Sequence, residues 1–382
     1  MDVSRYLEEI VEKNIHRKMV FVSGPRQCGK TTLAQRLLSK NQKMGELGTY
    51  LNWDVTEHRN QILGEKFPAG KYMLVLDEIH KYSRWRSILK SLWDDPKRQQ
   101  SVLVTGSAKL DFYRYGGDSL QGRYRMLRLH PFSVAELSRV LSKSPREVFE
   151  NLFRFGGFPE PYVLASDHES RIWSREYRSR LVREELTSLE SVSELALVER
   201  LALRLPDLVG NPLSINALRE DLQVAHQTVS RWIDILERIY GLFRVYPFGG
   251  PRIRAVKKEA KHYHFDWNLV SDPGARLENL VACHLLKWCH FIQDSEGWDM
   301  ELRYFRDTDK REVDFVVLRD GNPEMFVEVK MGEKKPSSHL KYLFQRFPKV
   351  HPVQVVNIPD CNLQTKEGIV IRDVASFLAE LI

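Results

Sequence analysis

The stretch Phe21–Thr32, FVSGPRQCGKTT, decides how the rest of this chain is read. It holds the pattern G-x-x-x-x-G-K-[ST] in full: Gly24, Pro25, Arg26, Gln27, Cys28, Gly29, Lys30 and Thr31, with Thr32 behind. An apolar run, Met19 to Val22, stands directly in front and predicts a buried strand. Behind it, Leu33, Ala34, Leu37 and Leu38 recur at helical spacing. Strand, glycine-rich loop and helix in that order make a phosphate cradle. The glycines let backbone N–H groups turn onto phosphate, and the helix N-terminus adds the positive end of its dipole. Lys30 would then reach the β- and γ-phosphates of ATP, and the Thr31 hydroxyl would ligate Mg²⁺. An ordinary glycine-rich turn explains neither Lys30 nor Thr31.

The residues downstream supply the second half of such a site. Thr49 to Asp54 predicts a short strand, and Tyr72 to Leu76 another that ends at Asp77-Glu78. An Asp at that strand end holds Mg²⁺ through water or the Thr31 hydroxyl. The neighbouring Glu can polarise the attacking water. A fourth strand, Ser101 to Thr105, leads into Gly106-Ser107-Ala108, which makes Ser107 the candidate for contact with the γ-phosphate or that water. Ser119-Leu120-Gln121-Gly122-Arg123 precedes a fifth strand, Arg125 to Leu129. Arg123 is either a surface arginine or a finger that stabilises charge on the transferring phosphoryl group, in cis or in trans.

GPRQCGKTT, LVLDEIHK, TGSA, SLQGR and the later GGFPEP together resemble the prokaryotic AAA+-like P-loop ATPases that carry a C-terminal domain of unknown function, the AAA_14/DUF4143 type. The resemblance runs the length of the chain. It implies a five-stranded parallel sheet, with the phosphate-loop strand beside the fourth strand and the Asp-Glu strand next along. It also implies a homo-oligomer in which Arg123 acts across a subunit interface.

With 382 residues the chain is long enough for two to four domains. Hydrophobic content of 42% and charged content of 29% fit a globular protein, and no apolar run approaches bilayer length. The segment MDVSRYLEEIVEKN lacks the apolar core of a signal peptide, so a cytoplasmic protein without membrane contact is expected. Cys28, Cys283, Cys289 and Cys361 have no C-x-x-C pairing or zinc-type spacing and read as reduced thiols. A formal charge of +7 suits a polyanion and is weak evidence by itself.

Four segments are expected: an ATPase domain over 1–160 that closes at Gly156-Gly157-Phe158-Pro159, a helical lid over 161–210, a winged helix over 211–270 and a nuclease-like domain over 271–382. The lid arginines Arg171, Arg175, Arg178, Arg180 and Arg183 interleave with Glu176, Glu184 and Glu185, the mark of an ion-paired helix face. Ser214 caps a short helix to Leu222, and a turn at Gln223 to Ala225 leads into a helix from His226 that Gly241 stops. Two strands follow, Leu242 to Phe248 and Lys261 to Asp266, around a loop with Arg252, Arg254, Lys257 and Lys258. Helix–turn–helix plus a basic hairpin is a winged-helix pattern. His226, Gln227, Thr228, Ser230 and Arg231 would face the major groove and the loop cations would face phosphates. Winged helices attached to ATPases also pack against protein, so DNA is an expected partner with that alternative open.

In the last segment a helix carries Glu278, a strand carries Asp314, and the returning strand carries Glu328 and Lys330 across an Asp320-Gly321-Asn322 turn. Helix-Glu, strand-Asp and E-x-K resemble the PD-(D/E)XK nuclease layout. That likeness implies a second Mg²⁺ or Mn²⁺ on Glu278, Asp314 and Glu328, with Lys330 beside the attacking water. The open alternative is a retained fold with an inactive acidic cluster. The sequence as a whole reads as an α/β ATPase that hydrolyses ATP and couples it to DNA. Its rival is a nucleotide-gated assembly switch whose C-terminal domains bind protein and cut nothing.

Overall fold

A computed structural model describes residues 3–68, 70–96, 99–107, 110, 120–186, 194–249 and 260–382, with backbone alone at 184–186. Ala108, Ser119, Arg252, Arg254, Lys257 and Lys258, and the side chains of Glu184 and Glu185, lie outside the described residues. Contacts divide the chain into two compact units, Asp2–His130 and Pro131–Ile382.

The first unit alternates helix and strand: α1 (Glu8–Ile15), β1 (Met19–Ser23), α2 (Lys30–Lys43), β2 (Leu47–Asn52), α3 (Thr56–Leu63), β3 (Tyr72–Asp77), α4 (Trp85–Asp94), β4 (Ser101–Thr105) and β5 (Tyr124–Arg128). The strands form a five-stranded sheet in the order β2-β3-β4-β1-β5. Every pairing in it is parallel. This is the expected order, with β1 beside β4 and β3 next along. All residues of β1 and β3 are buried. A parallel sheet is covered on both faces, which is why these strands read as unbroken apolar runs. In α4 the apolar stripe Trp85, Ile88, Leu89 and Leu92 packs with Phe21, Leu74 and Leu76 of the sheet.

The second unit opens with helices α5 (Val134–Leu141), α6 (Pro145–Phe155), α7 (Pro159–Leu164) and α8 (Asp167–Arg180). A π-helical turn, Leu181–Leu186, follows α8. Next come α9 (Leu195–Arg204), α10 (Ile215–Leu222), α11 (His226–Arg238), β6 (Phe243–Pro247), β7 (Lys261–Tyr263) and α12 (Pro273–Glu296). The chain ends in β8 (Met300–Arg306), β9 (Glu312–Arg319), β10 (Asn322–Lys330), α13 (Ser338–Arg346), β11 (His351–Val356), β12 (Asn362–Gln364), β13 (Val370–Asp373) and α14 (Val374–Ala379). The eight strands make one sheet in the order β12-β13-β11-β10-β9-β8-β6-β7.

Local signals placed several of these elements. The Ser214 hydroxyl accepts from Ala217 N at 3.2 Å and starts α10. Asp320 and Gly321, both at positive φ, turn β9 back into β10.

Two long-range features differ from the sequence segmentation. The Gly156–Pro159 stretch belongs to the second unit and does not close the first. A Cβ on Gly157 would run into the Trp267 ring, so glycine there lets the indole pack against backbone. Trp267 also donates to the Leu152 carbonyl at 2.7 Å. The expected boundary at 270 is crossed by strand pairing, because β6 pairs with β8 at Tyr246–Arg303 and Pro247–Tyr304.

Candidate functional site

The phosphate loop joins the end of β1 to the start of α2. Gly24 sits at φ 147°, and a Cβ there would collide with the Leu129 carbonyl oxygen, so only glycine fits. The Cys28 thiol is buried against that same carbonyl at 3.5 Å. Lys30 is buried and folds over the loop, donating to the carbonyls of Gly24 at 3.0 Å and Pro25 at 2.7 Å. Thr31 and Thr32 are exposed at the first turn of α2.

Asp77, at the end of β3, is the centre of the site. It accepts from the Thr31 hydroxyl at 2.8 Å and the Tyr50 hydroxyl at 2.6 Å. Its other oxygen accepts a short bond from the Thr105 hydroxyl. Asn52 Nδ2 reaches the Tyr50 oxygen at 3.2 Å and Asp77 at 3.4 Å. Sheet register makes this convergence, since Asp77 stands opposite Asn52 on one side and Thr105 on the other. Burial, then the bond to Asp77, pushes the Tyr50 hydroxyl up to about 12, which keeps it a donor.

Glu78 follows at φ 56°, a left-handed conformation that a glutamate adopts only where surroundings impose it. Its backbone N–H donates to the Thr105 carbonyl at 2.9 Å. Its carboxylate lies 3.3 Å from Lys81 Nζ and 3.7 Å from His80 Nε2. Gly106 N donates to the Val22 carbonyl at 3.2 Å, which brings the end of β4 beside the end of β1. Ser107 is buried there with its hydroxyl 3.4 Å from His80 Nε2.

Arg123 lies elsewhere. Its carbonyl accepts from Met19 N at 3.1 Å, at the start of β1, and its guanidinium pairs with Asp94 at 3.0 Å. It is therefore at the end of β1 opposite the phosphate loop. Sequence reasoning missed Tyr50, Asn52 and Thr105; the alternation of Tyr50 and Asn52 along β2 was the available signal. It also missed Arg5, whose guanidinium donates to the carbonyls of Cys28 and His130 at 2.6 Å each.

In the second unit the carboxylates expected to hold metal are divided between two lysines. Glu278 on α12 and Asp314 on β9 lie 3.3 Å and 3.9 Å from the ammonium of Lys261, which Glu312 also meets at 2.6 Å. Glu328 pairs with Lys330 at 2.9 Å. Asp314 Oδ2 accepts from Val329 N at 2.8 Å. Burial first, and then the charge of Asp314, holds both Glu278 and Glu328 well above the usual carboxylate range. Among the described residues no group of three or more His, Cys, Asp or Glu side chains is arranged for a metal ion. The residues around Glu278 do not fit the implied ion, because an ammonium already stands among them.

Buried neutral histidines are a further property of this unit. His284 Nδ1 faces the Leu280 carbonyl at 2.8 Å, while Nε2 accepts from Val134 N at 3.1 Å. Burial pushes His284 down to about 3. Unfolded histidine takes up a proton below about pH 6.5, whereas the folded one stays neutral, so stability falls as pH drops through that window. His284→Gln should reduce the slope of stability against pH by about 1.4 kcal/mol per unit between roughly pH 6 and 4. Hydrogen-exchange protection of α12 measures this, and an unchanged slope would contradict a buried neutral ring.

A parallel sheet in this order, with a glycine cradle after β1 and a carboxylate at the end of β3, defines a P-loop nucleoside-triphosphatase fold. Residues 16–138 match the AAA domain family, and residues 273–374 match a domain of unknown function, DUF4143. Residues 16–138 are thus an AAA domain, and DUF4143 forms the C-terminal part. Between them, residues 146–272 match another domain of unknown function, DUF8612.

Uncharacterized proteins of Mycobacterium tuberculosis and Mycobacterium bovis are each 26% identical over 261 residues, covering 68% of this chain and 57% of their own length. The match thus spans little more than half of those relatives. One from Methanocaldococcus jannaschii is 22% identical, covering 88% of this chain and 80% of its own. Among solved structures, the Thermotoga maritima RuvB Holliday junction branch migration motor aligns at TM-score 0.31 and 19% identity, covering 63% of this chain and 87% of that one. AMPPCP-bound DnaA from Aquifex aeolicus aligns at 0.29 and 15%, covering 60% and 86%. Likeness at that level assigns nothing to this chain. No helix among the described residues is long and apolar enough to cross a membrane. The four cysteines are buried thiols outside any disulfide.

Proposed function

We propose that this chain binds and hydrolyses ATP with Mg²⁺, and that the reaction drives or switches work on DNA. The bond from the Thr31 hydroxyl to Asp77 carries the reading, because it unites the two ligands such a site needs for its metal. Thr31 and Asp77 would hold Mg²⁺, which supplies neutralisation of charge between the β- and γ-phosphates. Lys30 would exchange the carbonyls of Gly24 and Pro25 for phosphate oxygens. Tyr50 and Thr105 fix the direction of Asp77. Glu78 would take the proton side of the attacking water, and Ser107 would bond the γ-phosphate or that water. Arg123 would act on a neighbouring copy, which makes a homo-oligomer the working form.

For DNA, we read α10, α11 and the β6–β7 hairpin as a winged helix. His226, Gln227 and Arg231 are exposed near the start of α11, where a recognition helix presents side chains, whereas Ser230 is buried in the packing face. The second reading is a nucleotide-gated switch with protein-binding C-terminal modules. The pairing of β6 into the large sheet favours it, because it joins the hairpin to a scaffold.

ATPase rate with and without single-stranded and duplex DNA separates the two. Stimulation that fades with salt supports the DNA reading, and indifference to both DNAs leaves the switch. Glu78→Gln in the same assay should keep ATP binding and slow turnover by about 10²- to 10⁴-fold, the usual worth of a positioned base. A parental rate in that variant would remove Glu78 from the chemistry.

A further inference from the structure

Lys261 lies in β7 with no exposed side-chain surface. Its ammonium is 2.6 Å from Glu312, 3.3 Å from Glu278 and 3.9 Å from Asp314, and 5.4 Å from the centre of the Tyr304 ring. An ammonium has three N–H donors and no acceptor; Glu312 and Glu278 lie within hydrogen-bond distance of it, and Asp314 adds a third negative charge at ion-pair distance. Tyr263, two residues along the same strand, donates to the same Glu278 oxygen at 2.6 Å.

The backbone gives Lys261 little freedom to leave. Lys261 pairs with Val245 in β6 and forms a bridge with Pro212 on the other side. The preceding carbonyl, that of Ala260, accepts from Leu213 N at 2.8 Å. The stem is thus held from both edges, and the charge is delivered to one place.

A divalent cation between Glu278 and Asp314 would need oxygens at about 2.0–2.6 Å, depending on the ion. It would then sit beside a fixed, fully buried ammonium of like charge. The two cations exclude one another. We infer that Lys261 is the resident cation of this carboxylate cluster, so that Glu278, Glu312 and Asp314 form a metal-independent brace tying β7 to α12 and β9. The helix glutamate and the strand aspartate therefore serve here as architecture. The brace lies wholly within the second unit and does not depend on how the ATP site is read.

The experiment is thermal unfolding of the full chain in chelator and in Mn²⁺, each variant compared with its Asp314→Asn counterpart so that ions taken up elsewhere cancel. The parent should show no Asp314-dependent response to Mn²⁺. Lys261→Met keeps the apolar stem and removes the charge. It should melt lower and gain an Asp314-dependent upward shift that grows with the logarithm of Mn²⁺ concentration. An Asp314-dependent shift in the parent would overturn the inference. So would a Lys261→Met chain as stable as the parent. If Lys261→Met does not fold, Lys261→Met/Glu278→Gln should recover folding, because one surplus carboxylate is gone; a double variant no better than the single one also overturns it.

Discussion

Replacing Lys30 by alanine is expected to weaken ATP binding by about 100-fold or more. Hydrogen bonds to a charged group are worth about 1.5–3 kcal/mol each, and roughly 1.4 kcal/mol is tenfold in affinity. Lys30 makes two such bonds, to Gly24 and Pro25, and is buried over the loop where phosphates would lie. Phosphate oxygens would replace those carbonyls with stronger, charge-assisted partners. The sheet does not depend on this side chain, so the variant should fold and melt near the parent. Titration with a fluorescent ATP analogue measures the loss. Parental affinity in a folded variant would refute the role given to the loop.

Alanine at Arg123 should leave ATP binding intact and slow hydrolysis by roughly 10³-fold, the lower range for a transition-state arginine. The position of the residue sets the form of the test. Arg123 adjoins Met19 at the start of β1, whereas the loop begins after Ser23 at its far end. A strand of that length spans about 16 Å at the usual rise per residue, which keeps Arg123 from phosphates in its own subunit. A neighbouring copy is the remaining way to use it. Mixing Arg123→Ala with Lys30→Ala should then restore activity, since each supplies what the other lacks. An undiminished rate in Arg123→Ala alone would end the finger proposal.

The sheet of the first unit was legible because its chemistry is local. The phosphate loop is contiguous, Asp77-Glu78 ends a buried strand, and unbroken apolar runs mark parallel strands. Tyr50 and Thr105 were not legible, because they reach Asp77 only through register with β2 and β4. Packing across the segment boundaries was not legible for a similar reason. Gly156-Gly157 reads as punctuation, yet Gly157 makes room for Trp267, more than a hundred residues away. Lys261 shows the limit most clearly. It stood at the start of an expected strand, and nothing nearby in sequence announced three distant carboxylates as its partners.

The bonds from Arg5 to the carbonyls of Cys28 and His130 bear on how this protein can be cut and labelled. Arg5 precedes residue 16, where the AAA domain match begins, so a fragment trimmed to that match would discard it. It also connects through Glu8, which bonds the Arg5 backbone at 2.9 Å and pairs with Arg36 of α2 at 2.9 Å. The first turns of the chain are thus a strap drawn across the underside of the phosphate loop. A minimal AAA fragment should therefore begin ahead of Arg5.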